Sequence, residues 1–140
     1  MECWVNGAFV NAGSSYNGIL TLGNSVTDAN TASITSRVGN YDFVINLNVV
    51  NFSTIDYDTW THLAVTRNSS GLVSLYYNGS LDTSATHTFD VTNTANPQIG
   101  RDTASNRFYN DQIAQPRIYN RALTASEVLN NYNATKTQFQ

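Results

Sequence analysis

The amino-acid sequence predicts an all-β fold, an antiparallel sandwich or barrel that carries one short C-terminal helix. Short strand-like segments recur at roughly 8–12-residue spacing, and no helical pattern separates them. Turn dipeptides such as Asn78-Gly79 lie between these segments. A helix-capping pattern occurs near the end of the chain, at Thr124-Ala125-Ser126-Glu127. Together these observations place the strands first and the helix last.

The predicted strands follow one another with turn residues between them. Tyr41–Phe52 shows the clearest alternation, because Phe43, Ile45 and Leu47 would face the same side of a sheet. Asn78-Gly79 indicates a type I′ hairpin, whose two central residues need positive φ. The remaining predicted strands are Glu2–Val5 with a continuation over Ala8–Val10 past a bulge at Asn6-Gly7, Ile19–Leu22, Ala32–Val38, Trp60–Arg67, Leu72–Tyr77, His87–Val91, Gln98–Arg101 and Arg107–Tyr119.

The predicted helix begins at a capping box, in which Thr124 and Glu127 bond to each other's backbone N–H groups. Asparagine is a poor helix former, so the helix is expected to end near Asn131. A helix this short is marginal alone in water and must pack on the strands. The residues expected to make that contact are Val128, Leu129 and Tyr132, and Leu123 is expected to form a hydrophobic staple with Val128.

Composition indicates a single domain over residues 1–134, followed by a tail over 135–140. The net charge is −3 and Lys136 is the only lysine, so the basic stripe of a nucleic-acid-binding protein is missing. No apolar run approaches the ~20 residues of a membrane span. Cys3 is the only cysteine, which excludes an intrachain disulfide and cysteine-rich zinc motifs. A surface rich in Asn, Ser and Thr suits an extracellular or virion-borne protein.

Three stretches resemble a known family: "WTHLAVTRNSSGLVSLYYNGSL" at 60–81, "QIGR" at 98–101 and "IAQPRIYNRALTASEVLNNY" at 113–132. In order and spacing they are similar to the laminin G-like branch of the concanavalin A-like lectin/glucanase superfamily. The resemblance covers about half the chain. It implies a two-sheet antiparallel jelly-roll sandwich with a short helix after the last strand. The "IAQ-x-RIYNRAL" wording and the "NYNATK" ending are most similar to versions in bacteriophage structural proteins.

The chain departs from the family pattern in two places. Family members usually have a strand before the one that begins here at Glu2, which predicts an uncovered sheet edge. A bulge, the tail 135–140 or another chain would cover it, and we expect self-association or a strand supplied by a neighbouring virion protein. Many members also have Asp-Glu-Val where this chain has Ala114-Gln115-Pro116, so any site that uses that Asp is absent.

Catalysis is not expected. Glucanases of this fold use a pair of carboxylates, but Glu2 and Glu127 are the only glutamates and Glu127 is assigned to the helix cap. The pair Asp56 and Asp58 is assigned to a solvated loop. His62 is interpreted as a structural histidine within a strand, because no partner carboxylate is expected near it.

Calcium is a candidate cofactor, because laminin G-like domains often hold Ca²⁺ at the sandwich rim. The candidate ligands are Asp102, Asn110 and Asp111, with Asn106 in the same region. Ca²⁺ requires six to eight oxygen ligands, and the family Asp is missing at position 114. A polar loop without metal is the alternative interpretation.

Carbohydrate, in particular host-surface glycan, is the expected ligand of a non-catalytic binding or adhesion module. Loops on a rigid sandwich are the usual location of such sites. An ordinary polar rim, in a domain that only decorates a capsid or fibre, is the alternative. The large aromatic residues Trp4, Phe43, Trp60 and Tyr119 are assigned to the core. The candidate ligand-binding residues are Tyr16, Arg101, Asp102, Asn106, Arg107 and Tyr109.

Overall fold

The computed structural model of the protein describes residues 1–7, 16–23, 25, 28–53, 56–92, 95–102 and 107–140. The predicted all-β sandwich with one C-terminal helix is confirmed. Asn106 and the predicted strand over Ala8–Val10 lie outside the described residues. Within the described residues, no helix has the length and apolar character needed to cross a membrane.

In the described part of the chain, one sheet has five strands in the order β12-β1-β6-β7-β8. All of its neighbouring strands pair antiparallel. Its members are β1 (Glu2–Asn6), β6 (Trp60–Arg67), β7 (Leu72–Tyr77), β8 (Ser80–Thr86) and β12 (Gln112–Arg117).

The other sheet, as far as its residues are described, has seven strands in the order β10-β11-β2-β3-β4-β5, with β9 also paired to β2. The β11–β2 pairing is parallel, and the other pairings in this sheet are antiparallel. Its members are β2 (Asn17–Leu22), β3 (Ala32–Arg37), β4 (Asn40–Ile45), β5 (Asn48–Asn51), β9 (Gln98–Ile99), β10 (Arg101–Asp102) and β11 (Arg107–Phe108).

The main core lies between the two sheets, as alternation predicts. Ile34 and Phe43 project into it from the larger sheet, and Leu63 and Val65 project from the smaller one. The Asn78-Gly79 turn has positive φ at both residues, 49° and 80°, which confirms the predicted hairpin. The strand that follows is β8, however, and residues 87–92 form no strand where His87–Val91 had been predicted.

Three other predicted strands are interrupted. Tyr41–Phe52 divides into β4 and β5, because Asn46 and Leu47 adopt positive φ and form a turn. Asn tolerates this backbone conformation well. The segment Arg107–Tyr119 divides into β11 and β12, which belong to different sheets. Gln98–Arg101 likewise divides between β9 and β10.

The sheet edge predicted to be uncovered is not at β1, which pairs with β12 on one side and β6 on the other. The continuation past the bulge predicted at Asn6-Gly7 lies outside the described residues, and a register shift occurs on the β1–β12 ladder between Glu2 and Trp4. Gln115 has a φ of 48° there and Pro116 follows it, on the edge strand of the sheet. Proline has no N–H to donate, so edge strands and bulges are where it fits.

A second apolar cluster joins the C-terminal helix to the outer face of the smaller sheet. Helix α1 (Ala125–Thr135) begins at the predicted capping box, with Thr124 as N-cap. Leu123 and Val128 pack against Ala64 of β6 and Tyr76 of β7. Because Leu63 and Val65 face the main core while Ala64 faces the helix, β6 is buried on both sides.

The helix extends further than the sequence predicts, to Thr135, and a 3₁₀ helix follows over Lys136–Gln138. Thr135 accepts a hydrogen bond from the Trp4 indole N–H at 3.0 Å. Phe139 stacks on Trp4 with 4.6 Å between ring centroids, so residues 135–140 pack on the outer face of β1. Leu129, which was expected to contact the sheet, is 43% exposed.

Candidate functional site

One end of the sandwich gathers most of the predicted site residues, and we call it the turn end. It is formed by the β3–β4 turn (38–39), the β7–β8 turn (78–79) and the first residues of β2, β6 and β12. β11 runs parallel to β2 and pairs Phe108 with Gly18, which brings residues 107–109 close to Tyr16. A Cβ on Gly18 would lie 2.5 Å from the Arg101 carbonyl oxygen, so glycine permits this approach.

Arg101 and Phe108 form an exposed cation–aromatic pair. They are cross-strand partners on β10 and β11, and the Arg101 guanidinium lies 5.7 Å from the centroid of the Phe108 ring. Phe108 is 49% exposed. The sequence identified Arg101 but not Phe108, although its position next to Arg107 within the predicted region was the available signal.

Asp102 and Arg107 are the other cross-strand pair of this hairpin. Asp102 is fully buried, and its Oδ2 lies 3.8 Å from Nη1 of Arg107. A buried carboxylate needs a compensating charge. Arg107 supplies this compensating charge, so the main role of the Asp102–Arg107 pair is to stabilise the hairpin.

Tyr16 belongs to a network that the sequence did not reveal. The Arg37 guanidinium lies 5.0 Å from the centroid of the Tyr16 ring and donates to its hydroxyl at 3.2 Å. Nε of Arg37 is 3.2 Å from Oδ2 of Asp42, which is fully buried. Asn51 donates to the other Asp42 oxygen at 2.5 Å. Burial raises the pKa of Asp42, and the Arg37 charge and the Asn51 hydrogen bond oppose that increase.

These residues lie on the face of the larger sheet that points away from the core. Asp42 precedes the core residue Phe43, and Thr35 follows the core residue Ile34, so both side chains project from the opposite face. Thr21 and Ser33 continue this polar face, with 2.7 Å between their hydroxyl oxygens. These four polar side chains are fully buried, so the accessible members of the network among the described residues are Tyr16, Arg37 and Asn51.

Tyr109 is placed differently from its predicted role. It is only 7% exposed and packs in the main core, so its ring is not available as a binding platform. A Cβ on Gly7 would lie 2.6 Å from the Tyr109 hydroxyl, 2.8 Å from the Tyr41 hydroxyl and 3.6 Å from Oδ2 of Asp111. Burial raises the pKa of Tyr41 to about 12 and also raises the pKa of Tyr109. This polar cluster lies beneath the turn end.

The described candidate calcium ligands have separate surroundings. Asp102 faces Arg107, whereas Asp111 faces the hydroxyl groups at Gly7. Asn110 is exposed. Among the described residues there is no group of three His, Cys, Asp or Glu side chains that could hold a metal ion. The cationic neighbour of Asp102 also makes that carboxylate a less favourable ligand for a divalent cation.

The glutamates, weighed above as possible catalytic groups, both have structural partners. Glu2 is 1% exposed and accepts hydrogen bonds from Arg117 at 2.9 Å, Tyr119 at 2.8 Å and Asn131 at 3.1 Å. Burial raises the pKa of Glu2, but these hydrogen bonds outweigh it and hold that pKa below its usual value. Glu127 completes the helix cap and forms two contacts with Arg121, at 2.7 and 2.8 Å.

His62 has a carboxylate neighbour, contrary to the prediction. Its Nε2 lies 3.7 Å from Oε2 of Glu2, and its ring packs against Trp4 with 5.3 Å between centroids. Burial lowers the pKa of His62 to about 4, since the attraction of Glu2 is too weak to offset desolvation. The histidine is therefore neutral and structural near neutral pH.

The comparisons with known proteins agree with this architecture. Three solved structures match along 91%, 95% and 92% of the chain, each at no more than 22% identity. They are a candidate carbohydrate-binding protein from Bacteroides ovatus (TM-score 0.73, 15% identity), the binding domain of Paraclostridial Mosquitocidal Protein 1 (TM-score 0.71, 19% identity) and domain 4 of an extracellular GH43 arabinanase from Geobacillus stearothermophilus in complex with arabinotriose (TM-score 0.66, 22% identity).

In these three structures the chain spans 38%, 36% and 63% of the other protein, which in each case is less than two thirds. A sequence comparison with curated proteins finds no match. A family model of the concanavalin A-like lectin/glucanases superfamily, of laminin G type, matches residues 3–129. The match covers most of the chain and the described strands form the expected sandwich, so the protein belongs to the concanavalin A-like lectin/glucanases superfamily.

Proposed function

We propose that the protein is a non-catalytic carbohydrate-binding or adhesion module and that it binds glycan at the turn end. The observation that carries this proposal is the exposed Arg101–Phe108 pair beside the Tyr16–Arg37–Asp42 network. Sugars present apolar C–H faces and many hydroxyl groups. An aromatic surface next to planar, pre-positioned polar side chains is suited to both features.

The comparisons support this proposal without identifying a ligand. The Bacteroides ovatus protein is a candidate carbohydrate-binding protein, and the arabinanase domain was solved with arabinotriose. At such low sequence identity these structures share the fold, and binding residues are not transferable. Their relevance is that the same sandwich has accommodated a saccharide in another protein.

The biological setting that we propose is a viral structural protein, of bacteriophage type, that recognises host-surface glycans in a virion or another extracellular location. The support is the resemblance of the segment 113–132 to phage structural proteins. The abundance of neutral polar residues is compatible with that setting. Genomic context tests it directly, since a neighbouring capsid or tail gene is expected.

A glycan array with matched variants tests the binding function. Phe108→Ala and Arg101→Ala are expected to lose the glycan signals given by the wild-type protein. Phe89→Ala is the control, because Phe89 is 47% exposed, almost as much as Phe108, but lies beyond β8 at the opposite end of the sandwich. No signal for the wild-type protein on any glycan would refute the proposal.

A purely structural role, as a decoration or fibre domain that packs on other protein chains, is the second candidate. The observation that favours it is apolar exposure on edge strands: Leu81 of β8 is 60% exposed and Val49 of β5 is 38% exposed. Unpaired strand edges with apolar side chains invite association with another chain. This role predicts no glycan binding together with a measurable association between protein chains.

A further inference from the structure

A pocket on the side of the turn end nearest the helix is not part of the predicted site. It has a volume of about 520 Å³ and opens between the segment before β6, the β7–β8 turn and the last residues of the chain. Its lining residues are Asp56, Tyr57, Thr59, Trp60, Asn78, Phe139 and Gln140. The sequence assigned Trp60 to the core and residues 56–58 to a solvated loop, so neither was considered for binding.

Two of the aromatic residues that line the pocket are fixed by packing that extends to a buried ring. Trp60 is half-buried, and its ring centroid is 4.9 Å from that of Phe139 at an interplanar angle of 50°. Phe139 is itself stacked on the buried Trp4 ring. Tyr57 is 37% exposed at the rim. A ligand would therefore bind to a fixed aromatic surface, and binding would not incur the entropy cost of immobilising the Trp60 and Phe139 side chains.

The polar groups of the pocket are also fixed by the fold. Oδ2 of Asp56 accepts a hydrogen bond from the Tyr77 hydroxyl at 3.0 Å, and the Asp56 N–H donates to the same hydroxyl at 2.9 Å. Oδ1 of Asn78 accepts from the His62 backbone N–H at 2.9 Å. Thr59 donates to the Tyr57 carbonyl at 3.1 Å. Oδ1 of Asp56 and the Asn78 amide NH₂ take no part in these bonds.

We infer that this pocket binds one ring of a neutral saccharide. Trp60 would contact the C–H face of the ring, and Asp56 and Asn78 would accept from and donate to its hydroxyl groups. Among the described lining residues Asp56 is the only one with a charged side chain, so an acidic sugar would meet a carboxylate without a compensating cation from this set. A quaternary ammonium ligand also suits aromatic rings and an acid, but it would leave the amide donors of Asn78 unused.

This inference rests on the proposed carbohydrate-binding function and adds a location and a ligand class to it. The pocket shares no lining residue with the predicted site. The two are adjacent, because the Asp58 N–H donates to the carbonyl of Gly7 at 3.0 Å and Gly7 in turn borders Tyr41 and Tyr109.

The test is a titration of the protein with a panel of neutral mono- and disaccharides, sialic acid and choline, monitored by the two tryptophan indole N–H signals in NMR. Trp60 lines the pocket, whereas the indole N–H of Trp4 is buried against Thr135 and serves as an internal reference. We expect a neutral saccharide to shift the Trp60 signal more than the Trp4 signal. Tyr57→Ala and Asp56→Asn should each weaken binding about tenfold, and the exposed-site control Leu129→Ala should not.

The outcomes separate this inference from the function on which it rests. Saccharide binding that is lost in Phe108→Ala but retained in Tyr57→Ala and Asp56→Asn would overturn the pocket assignment and keep the carbohydrate-binding function. Saturable binding of choline or sialic acid without neutral saccharide would overturn the ligand class. Failure of the wild-type protein to bind any saccharide would overturn both proposals.

Discussion

Acidification from about pH 7 to about pH 5 is expected to destabilise the protein through one buried histidine. Burial lowers the pKa of His62 from 6.5 to about 4. Between those values the unfolded chain binds a proton at this residue and the folded protein does not. The free energy of unfolding therefore falls as the pH falls through this range.

The magnitude follows from the two pKa values. A pKa lowered from 6.5 to about 4 corresponds to about 3 kcal/mol of stability lost once the pH is below both values. About 2 kcal/mol of that loss occurs by pH 5. Glu2 adds a further loss of stability at lower pH than His62 does. Its pKa lies below its ordinary value of 4.5, so its stabilising charge is lost only as the pH falls through that lowered pKa.

Urea unfolding of the wild-type protein, His62→Gln and His87→Gln at the two pH values measures this effect. Glutamine stays neutral and can still donate towards Glu2, so His62→Gln should show little loss between the two pH values. His87→Gln removes the other histidine of the chain and should retain the wild-type loss. An equal loss in His62→Gln and the wild-type protein, or an NMR titration of His62 near pH 6.5, would refute the reasoning.

Three further predictions concern packing and association. Val128→Ala removes fully buried methyl groups beneath the helix and should lower the free energy of unfolding by about 2 kcal/mol. Leu129→Ala, at an exposed position, should change it by less than about 0.5 kcal/mol. Urea unfolding of the two variants measures both values. Gly79→Ala should cost more than about 1 kcal/mol, because the φ is 80° and the new Cβ would lie 2.8 Å from the Tyr132 ring; an unchanged unfolding midpoint would contradict this. The isolated domain should self-associate through its open sheet edges. Light scattering over a wide concentration range measures this association, and a protein that stays monomeric at high concentration would contradict the prediction.

The elements predicted correctly are those whose signals are local. The capping box depends on residues three positions apart, and both of its hydrogen bonds are present between Thr124 and Glu127. The Asn78-Gly79 turn needs only its own two residues. The turn at Asn46-Leu47 was missed because apolar alternation continues through Leu47, which is in fact 58% exposed. Alternation alone does not distinguish a long strand from two strands joined by a tight turn.

The candidate site was only partly predictable, because its charge pairs depend on tertiary structure. Glu2 and Arg117 are 115 positions apart and become partners only when β12 pairs with β1. Arg37 and Asp42 are close in sequence, and a turn assigned at Gly39 would have placed them side by side. Trp60 was assigned to the core because large strand aromatics usually pack there, whereas its position at the first residue of β6 places it at the rim.

The central position of β1 has a consequence for the order of folding. This strand is formed by residues 2–6, yet one of its two neighbours is β12, which is formed by residues 112–117. Long loops are costly to close, and proteins with many such distant contacts fold slowly. During synthesis β1 can pair early with β6, but its other side stays open until residues 112–117 have left the ribosome. A nascent chain stalled before residue 112 would therefore expose a strand edge that the finished protein covers, and this interval is when association with a second copy should be most frequent.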